Sequence, residues 1–154
     1  MSEVILDTNV FTLLIVGQIK PEKIGSHKRT SIYNNEHYNY LLDILTNYDS
    51  ILINPNIVTE VDNLLNNFSG DDRYLYLSLT KNIFKVSKEK YIKTSEIVDT
   101  WQYEALGITD SALLIMAKEC DLLISGDSEL CDYAKSSGIN VFDFKEYVNL
   151  TTYK

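Results

Sequence analysis

Three short apolar runs constrain this chain more than any other feature. Val4-Ile5-Leu6, Ile51-Leu52-Ile53 and Leu122-Leu123-Ile124 are each unbroken, and each stops abruptly on polar residues. Residues alternate between faces along a strand, so an unbroken apolar run has both faces buried. Longer stretches with helical periodicity separate the runs. Strands alternating with helices dictate an α/β fold with a largely parallel central sheet and helices on both faces. A fourth, weaker strand is expected at Asn140–Phe142. At 154 residues, with no linker or internal repeat, the chain reads as one domain spanning 1–154.

Punctuation places the helices. One is expected over Asn9–Val16, ended by Gly17 as a C-cap. Residues 18–30 read as a polar loop. Tyr38, Leu41, Leu42, Leu45 and Tyr48 recur at helical spacing, as do Ile57, Val58, Val61, Leu64, Leu65 and Phe68, with Gly70 closing that helix. Asp71 or Asp72 can cap the next one, which carries Tyr74 to Ile83. A lysine-rich connection leads to a helix near 91–105, interrupted at Gly107. Thr109-Asp110-Ser111 then opens Ala112–Ala117, too continuously apolar for a surface helix. Ser128–Ser137 is a further helix, stopped by Gly138.

Acidic residues border these apolar segments. Asp7 ends the first strand, and Asp127 follows the third by two residues. Asp110 opens the buried helix that leads into the third strand, and Glu60 lies early in the helix after the second. In open parallel sheets, sites form at the C-terminal ends of strands. Two chemistries suit an acid there. A carboxylate can cap a helix N-terminus. Several together repel one another and call for a cation, and oxygen donors without His or Cys suit Mg²⁺ or Mn²⁺. Asp62 lies close to Glu60 but points to the opposite side of its helix, so only one of the two can join such a cluster.

The remaining chemistry is sparse. The formal net charge of −8 excludes a whole-chain basic footprint. Two stretches are locally basic. Residues 18–35 carry Lys20, Lys23, Lys28 and Arg29; residues 81–93 carry Lys81, Lys85, Lys88, Lys90 and Lys93. Lys28, Arg29, Lys81, Lys85 and Lys88 are candidate phosphate contacts, and a solvated surface is the other reading. Tyr33, Phe84 and Tyr91 could stack on unpaired bases, although eleven tyrosines leave most for packing. His27 and His37 fall in no motif. Cys120 and Cys131 make no disulfide framework or zinc spacing and read as buried thiols. No apolar run approaches the roughly 20 residues of a membrane span. With no leader pattern either, a soluble, cytoplasmic protein is expected.

The segments LDTNV, GITDSALLIMAK and LLISGDSEL, with an acid after the second strand, resemble the PIN domain family of metal-dependent nucleases. The resemblance spans essentially the whole chain and is strongest at 4–10 and 107–142. It implies a three-layer fold around a mostly parallel sheet and an acidic pocket binding Mg²⁺ or Mn²⁺. Asp7, Glu60, Asp110 and Asp127 match the acidic positions, with Asp7, Asp110 and Asp127 as metal ligands. Asn9 matches a polar partner, Ser125 a residue that orients the last acidic loop, and Glu129 a further acid. The implied activity is endonucleolytic cleavage of RNA by metal-activated water. Small members are commonly toxins held by a cognate antitoxin, and many are homodimers. The insert at 18–35 and the long helical middle depart from the typical toxin.

Rival readings have discriminating features. A PIN-like module with a degenerate site would bind nucleic acid or protein without turnover. A haloacid dehalogenase-type enzyme wants an Asp where Asn9 stands. A receiver domain wants a phosphoacceptor Asp after a middle strand, where Asn54-Pro55 stands. No G-x-x-x-x-G-K motif for a P-loop occurs.

Overall fold

The computed structural model describes residues 1–68 and 70–152. Its strands are β1 (Glu3–Leu6), β2 (Ser50–Ile53), β3 (Lys88–Glu89), β4 (Leu122–Ser125) and β5 (Val141–Asp143). All are parallel, in the order β3-β2-β1-β4-β5. Helices flank the sheet in a three-layer α/β arrangement: α1 (Thr8–Ile19), α2 (Asn35–Leu45), α3 (Pro55–Leu65), α4 (Asp71–Val86), α5 (Thr94–Val98), α6 (Tyr103–Ala117), α7 (Ser128–Ser136) and α8 (Phe144–Thr152). Among the described residues, no helix is long and apolar enough to cross a membrane.

The unbroken apolar runs do what their burial demands. Val4, Ile5 and Leu6 are buried in the central strand, and Leu122, Leu123 and Ile124 beside them. Val4 is level with Ile51 on one side and Leu122 on the other, and Leu6 with Ile124. The first helix is buried from Val10 to Gly17 and the end of α6 nearly as completely. Each large aliphatic side chain removed from water in this way contributes about 1.5–3 kcal/mol.

Several boundaries differ from expectation. Gly17 does not end α1, which runs on to Ile19. Its glycine is explained by packing, since a Cβ there would overlap the ring of Tyr38 on α2. The helix after β2 ends at Leu65 rather than Gly70. Gly70, at φ 64°, is itself the N-cap of α4, with Asp71 and Asp72 in the first turn. The lysine-rich stretch is no loop. Lys81 and Lys85 belong to α4, and Lys88-Glu89 is an edge strand. In place of one helix near 91–105 stands the short α5, then a turn carrying Trp101, then α6 from Tyr103. Gly107, at φ 83° and ψ −176°, breaks α6 as expected. β5 begins at Val141, and α8 follows it without a linker.

The chain leaves β1 for β2 and β3 on one side, then crosses to β4 and β5 on the other. The switch point therefore lies between β1 and β4. Adjacent loops diverge there at the C-terminal ends of the strands and open a crevice.

Candidate active site

That crevice is a cleft of about 540 Å³, walled by Asp7, Thr8, Asn9, Arg29, Glu60, Asn63, Leu64, Leu106, Gly107, Ile108, Thr109, Asp110 and Asp127. Four acids enter it from four parts of the fold. Asp7 comes from the β1–α1 junction, Glu60 from α3, Asp110 from α6 just beyond the Gly107 break, and Asp127 from the β4–α7 junction.

Asp7 is nearly fully buried and held on both oxygens. Oδ1 accepts from the Val10 backbone N–H at 2.8 Å, so Asp7 caps α1. Oδ2 accepts from the Ser125 hydroxyl at 2.5 Å and the Gly126 N–H at 2.9 Å. Burial raises its pKa; the bonds from Ser125, Val10 and Gly126 oppose that, and the charge of Asp127 adds to it. Ser125 also accepts from the Asp127 N–H at 3.0 Å, so one hydroxyl fixes both acidic junctions. Asp127 in turn caps α7, with Oδ1 accepting from the N–H groups of Glu129 and Leu130.

Both capping readings therefore hold in the structure. An N-cap leaves carboxylate lone pairs free, so capping and cleft-facing roles are compatible.

Glu60 accepts from the Thr8 hydroxyl at 2.6 Å and the Thr109 hydroxyl at 2.8 Å. It thereby links α1, α3 and the break in α6. Asp62 stands outside the cleft wall, where it accepts from Asn66 at 3.1 Å. Asp110 is no cap, because the backbone of α6 continues through it. Burial, then the charges of Asp127, Asp7, Glu60 and Glu129, push its pKa from an ordinary 3.8 up to about 7. Glu129 acts on the site only at this range, since it does not line the cleft.

The basic residues divide sharply. Arg29 lines the cleft, with Lys28 exposed beside it. Lys81 and Lys85 are exposed on α4 and line none of it. Lys88 points to the start of β1, where it pairs with Glu3 at 2.7 Å. Lys81, Lys85 and Lys88 thus stand apart from the cleft that the four acids line. Sequence reasoning missed Thr8, Asn63 and Thr109 as cleft residues. The threonines carried a signal, since each adjoins an acid that the apolar runs had singled out.

Among the described residues, no three His, Cys, Asp or Glu side chains stand grouped as a ready-made metal site. The donor set nevertheless suits a hard divalent cation: it is all oxygen, it pairs with no Lys or Arg among the described residues, and its mutual repulsion adds to the raised pKa of Asp110. No protein-family model matches the sequence, and no curated protein matches it. The functional reading accordingly rests on these residues.

Proposed function

We propose that this protein is a metal-dependent endoribonuclease of the PIN type. One observation carries the reading. Four carboxylates from separate elements face one cleft at the switch point, and burial, with the charges of the other three adding to it, raises Asp110 to a pKa of about 7. Such repulsion is costly unless a cation relieves it.

Asp7, Asp110 and Asp127 would hold Mg²⁺ or Mn²⁺, with Glu60 completing the site. Bound there, the cation supplies Lewis acidity toward a phosphodiester and acidifies attacking water. Asp7 is presented rigidly, because Ser125 and Gly126 fix its outer oxygen. Asp110, free of such anchors, is the acid able to adjust. Leu64, Leu106 and Ile108 supply the apolar part of the cleft lining. The same reading extends to a toxin restrained by an antitoxin and to a homodimer, both by resemblance alone.

The test is cleavage of end-labelled structured RNA and single-stranded DNA with Mg²⁺, Mn²⁺ or EDTA. Asp7→Asn and Asp110→Asn chains are prepared in parallel. Discrete RNA products that need metal and vanish in both variants support the reading. Equal products from wild type and variants overturn it as contamination.

A second reading, a binding module without turnover, is favoured by the lack, among the described residues, of three acids grouped as a ready-made metal site. It expects RNA or protein binding with no Mn²⁺ affinity and no products.

A further inference from the structure

Whatever polyanion reaches a cleft lined by four acids, in a chain of net charge −8, needs a cation to meet it. Of the four cations in the 18–35 insert, two are spent on structure. Lys20 and Lys23 both pair with Asp72, in the first turn of α4. Lys28 and Arg29 pair with no acid among the described residues. Arg29 stands on the cleft wall beside the acids and still forms no ion pair with them.

The segment that carries Arg29 is anchored at several points. Ile24 and Thr30 are buried, and the Thr30 hydroxyl donates to the Ile24 carbonyl at 2.6 Å. His27 stacks on Phe68 with ring centroids 4.6 Å apart. Tyr33 is buried against Phe144, and its hydroxyl fills the space a Cβ would need at Gly126, in the loop between Ser125 and Asp127. The insert is therefore a strap, fixed to α4 at one end and to the acidic loop at the other, with Arg29 on the cleft wall between them.

We propose that Arg29 is the substrate-phosphate ligand of this cleft, presented by the anchored strap 20–33 to a single-stranded RNA phosphate. The inference rests on the ribonuclease reading and names how its substrate is held. A guanidinium is the suitable group, because its planar fork matches two phosphate oxygens and keeps its charge at any working pH. A counter-ion for the acids would be paired with one of them. Arg29 is not.

The experiment measures anisotropy of labelled single-stranded RNA with Mg²⁺ across a salt series, in an Asp110→Asn background that suppresses turnover. Arg29→Ala, Arg29→Lys and Lys81→Ala are added singly, and steady-state cleavage is followed with each in the otherwise wild-type chain. Arg29→Ala is expected to weaken binding about ten- to a hundred-fold and to lower the salt slope by about 0.7, one single-strand phosphate contact. It raises KM more than it lowers kcat. Arg29→Lys restores the slope and only part of the affinity. Lys81→Ala, an equal change in charge away from the cleft, moves neither.

RNA cleavage by wild type with an Arg29→Ala slope no different from that of Lys81→Ala overturns the inference and leaves the nuclease standing. Tighter Mn²⁺ binding and faster cleavage in Arg29→Ala also overturn it, making Arg29 a counter-ion of the acids. Absence of both RNA binding and cleavage overturns the two readings together.

Discussion

The Ser125 hydroxyl donates to Asp7 at 2.5 Å, joining the C-terminal ends of β4 and β1 through side chains 118 residues apart in sequence. Both groups are buried, so loss of the donor leaves a desolvated carboxylate short of its strongest hydrogen bond. Ser125→Ala is expected to destabilise the fold by about 1–3 kcal/mol, the cost of an unmet buried polar group. Urea unfolding checks this. An unchanged midpoint would mean that water or a shifted backbone replaces the bond.

Asp110 gives stability a pH dependence of definite sign. Its folded pKa of about 7 lies above the ordinary 3.8, so the folded chain binds this proton more tightly than the unfolded one. Stability from this group is intact below about pH 4 and declines as pH rises to about 7. Each tenfold difference in proton affinity is worth about 1.4 kcal/mol, and solvent at this partly buried group trims the total to roughly 2–4 kcal/mol. In EDTA, the wild type should lose this much more stability between pH 4.5 and 7.5 than Asp110→Asn does. Parallel curves for the two chains would contradict the assignment.

Glu60 and Asp62 are separable by mutation. Glu60→Ala removes the acceptor for both Thr8 and Thr109 and should destabilise by about 1–2 kcal/mol. It should also abolish metal-dependent cleavage. Asp62→Asn touches only the exposed bond from Asn66, so stability should stay within about 0.5 kcal/mol and activity unchanged. A loss of activity in Asp62→Asn would exchange the two roles.

Gly17 should invert the usual helix rule. Replacing a helical glycine with alanine ordinarily stabilises by about 0.5–1 kcal/mol. Here the new methyl meets the ring of Tyr38, so Gly17→Ala should destabilise by about 1–3 kcal/mol. A double-mutant cycle with Tyr38→Leu should recover part of that loss. Additive effects would show that the helices part without cost.

The central sheet was legible because buried strands leave unbroken apolar runs, and β1, β2 and β4 fall where those runs fall. β3 left no such trace. It is a two-residue edge strand, Lys88-Glu89, and edges carry charge to prevent further pairing. Gly17 misled because glycine after an apolar run marks a C-cap, whereas its reason lies across the helix interface at Tyr38. Asp7, Asp110 and Asp127 were legible through their position beside apolar segments, and Glu60 through its place early in the helix after the second strand. The division of the basic stretches was not. That Lys20 and Lys23 belong to Asp72 depends on a pairing 49 residues away for Lys23, which local pattern does not encode.

The strand order bears on how the molecule comes into being on the ribosome. β1 is made first of the five strands yet lies at the centre of the sheet. Its partner on the β4 side, and the hydroxyl that donates to Asp7, emerge 118 residues later. At about 5–20 residues per second, the nascent chain carries a half-paired Val4-Ile5-Leu6 for roughly 6–24 s. Such long-range parallel pairing is slow and exposes sticky edges. The same delay is protective if the cleft cuts RNA, because no nascent fragment lacking β4 holds Asp7 and Asp127 together beside the transcript that encodes it.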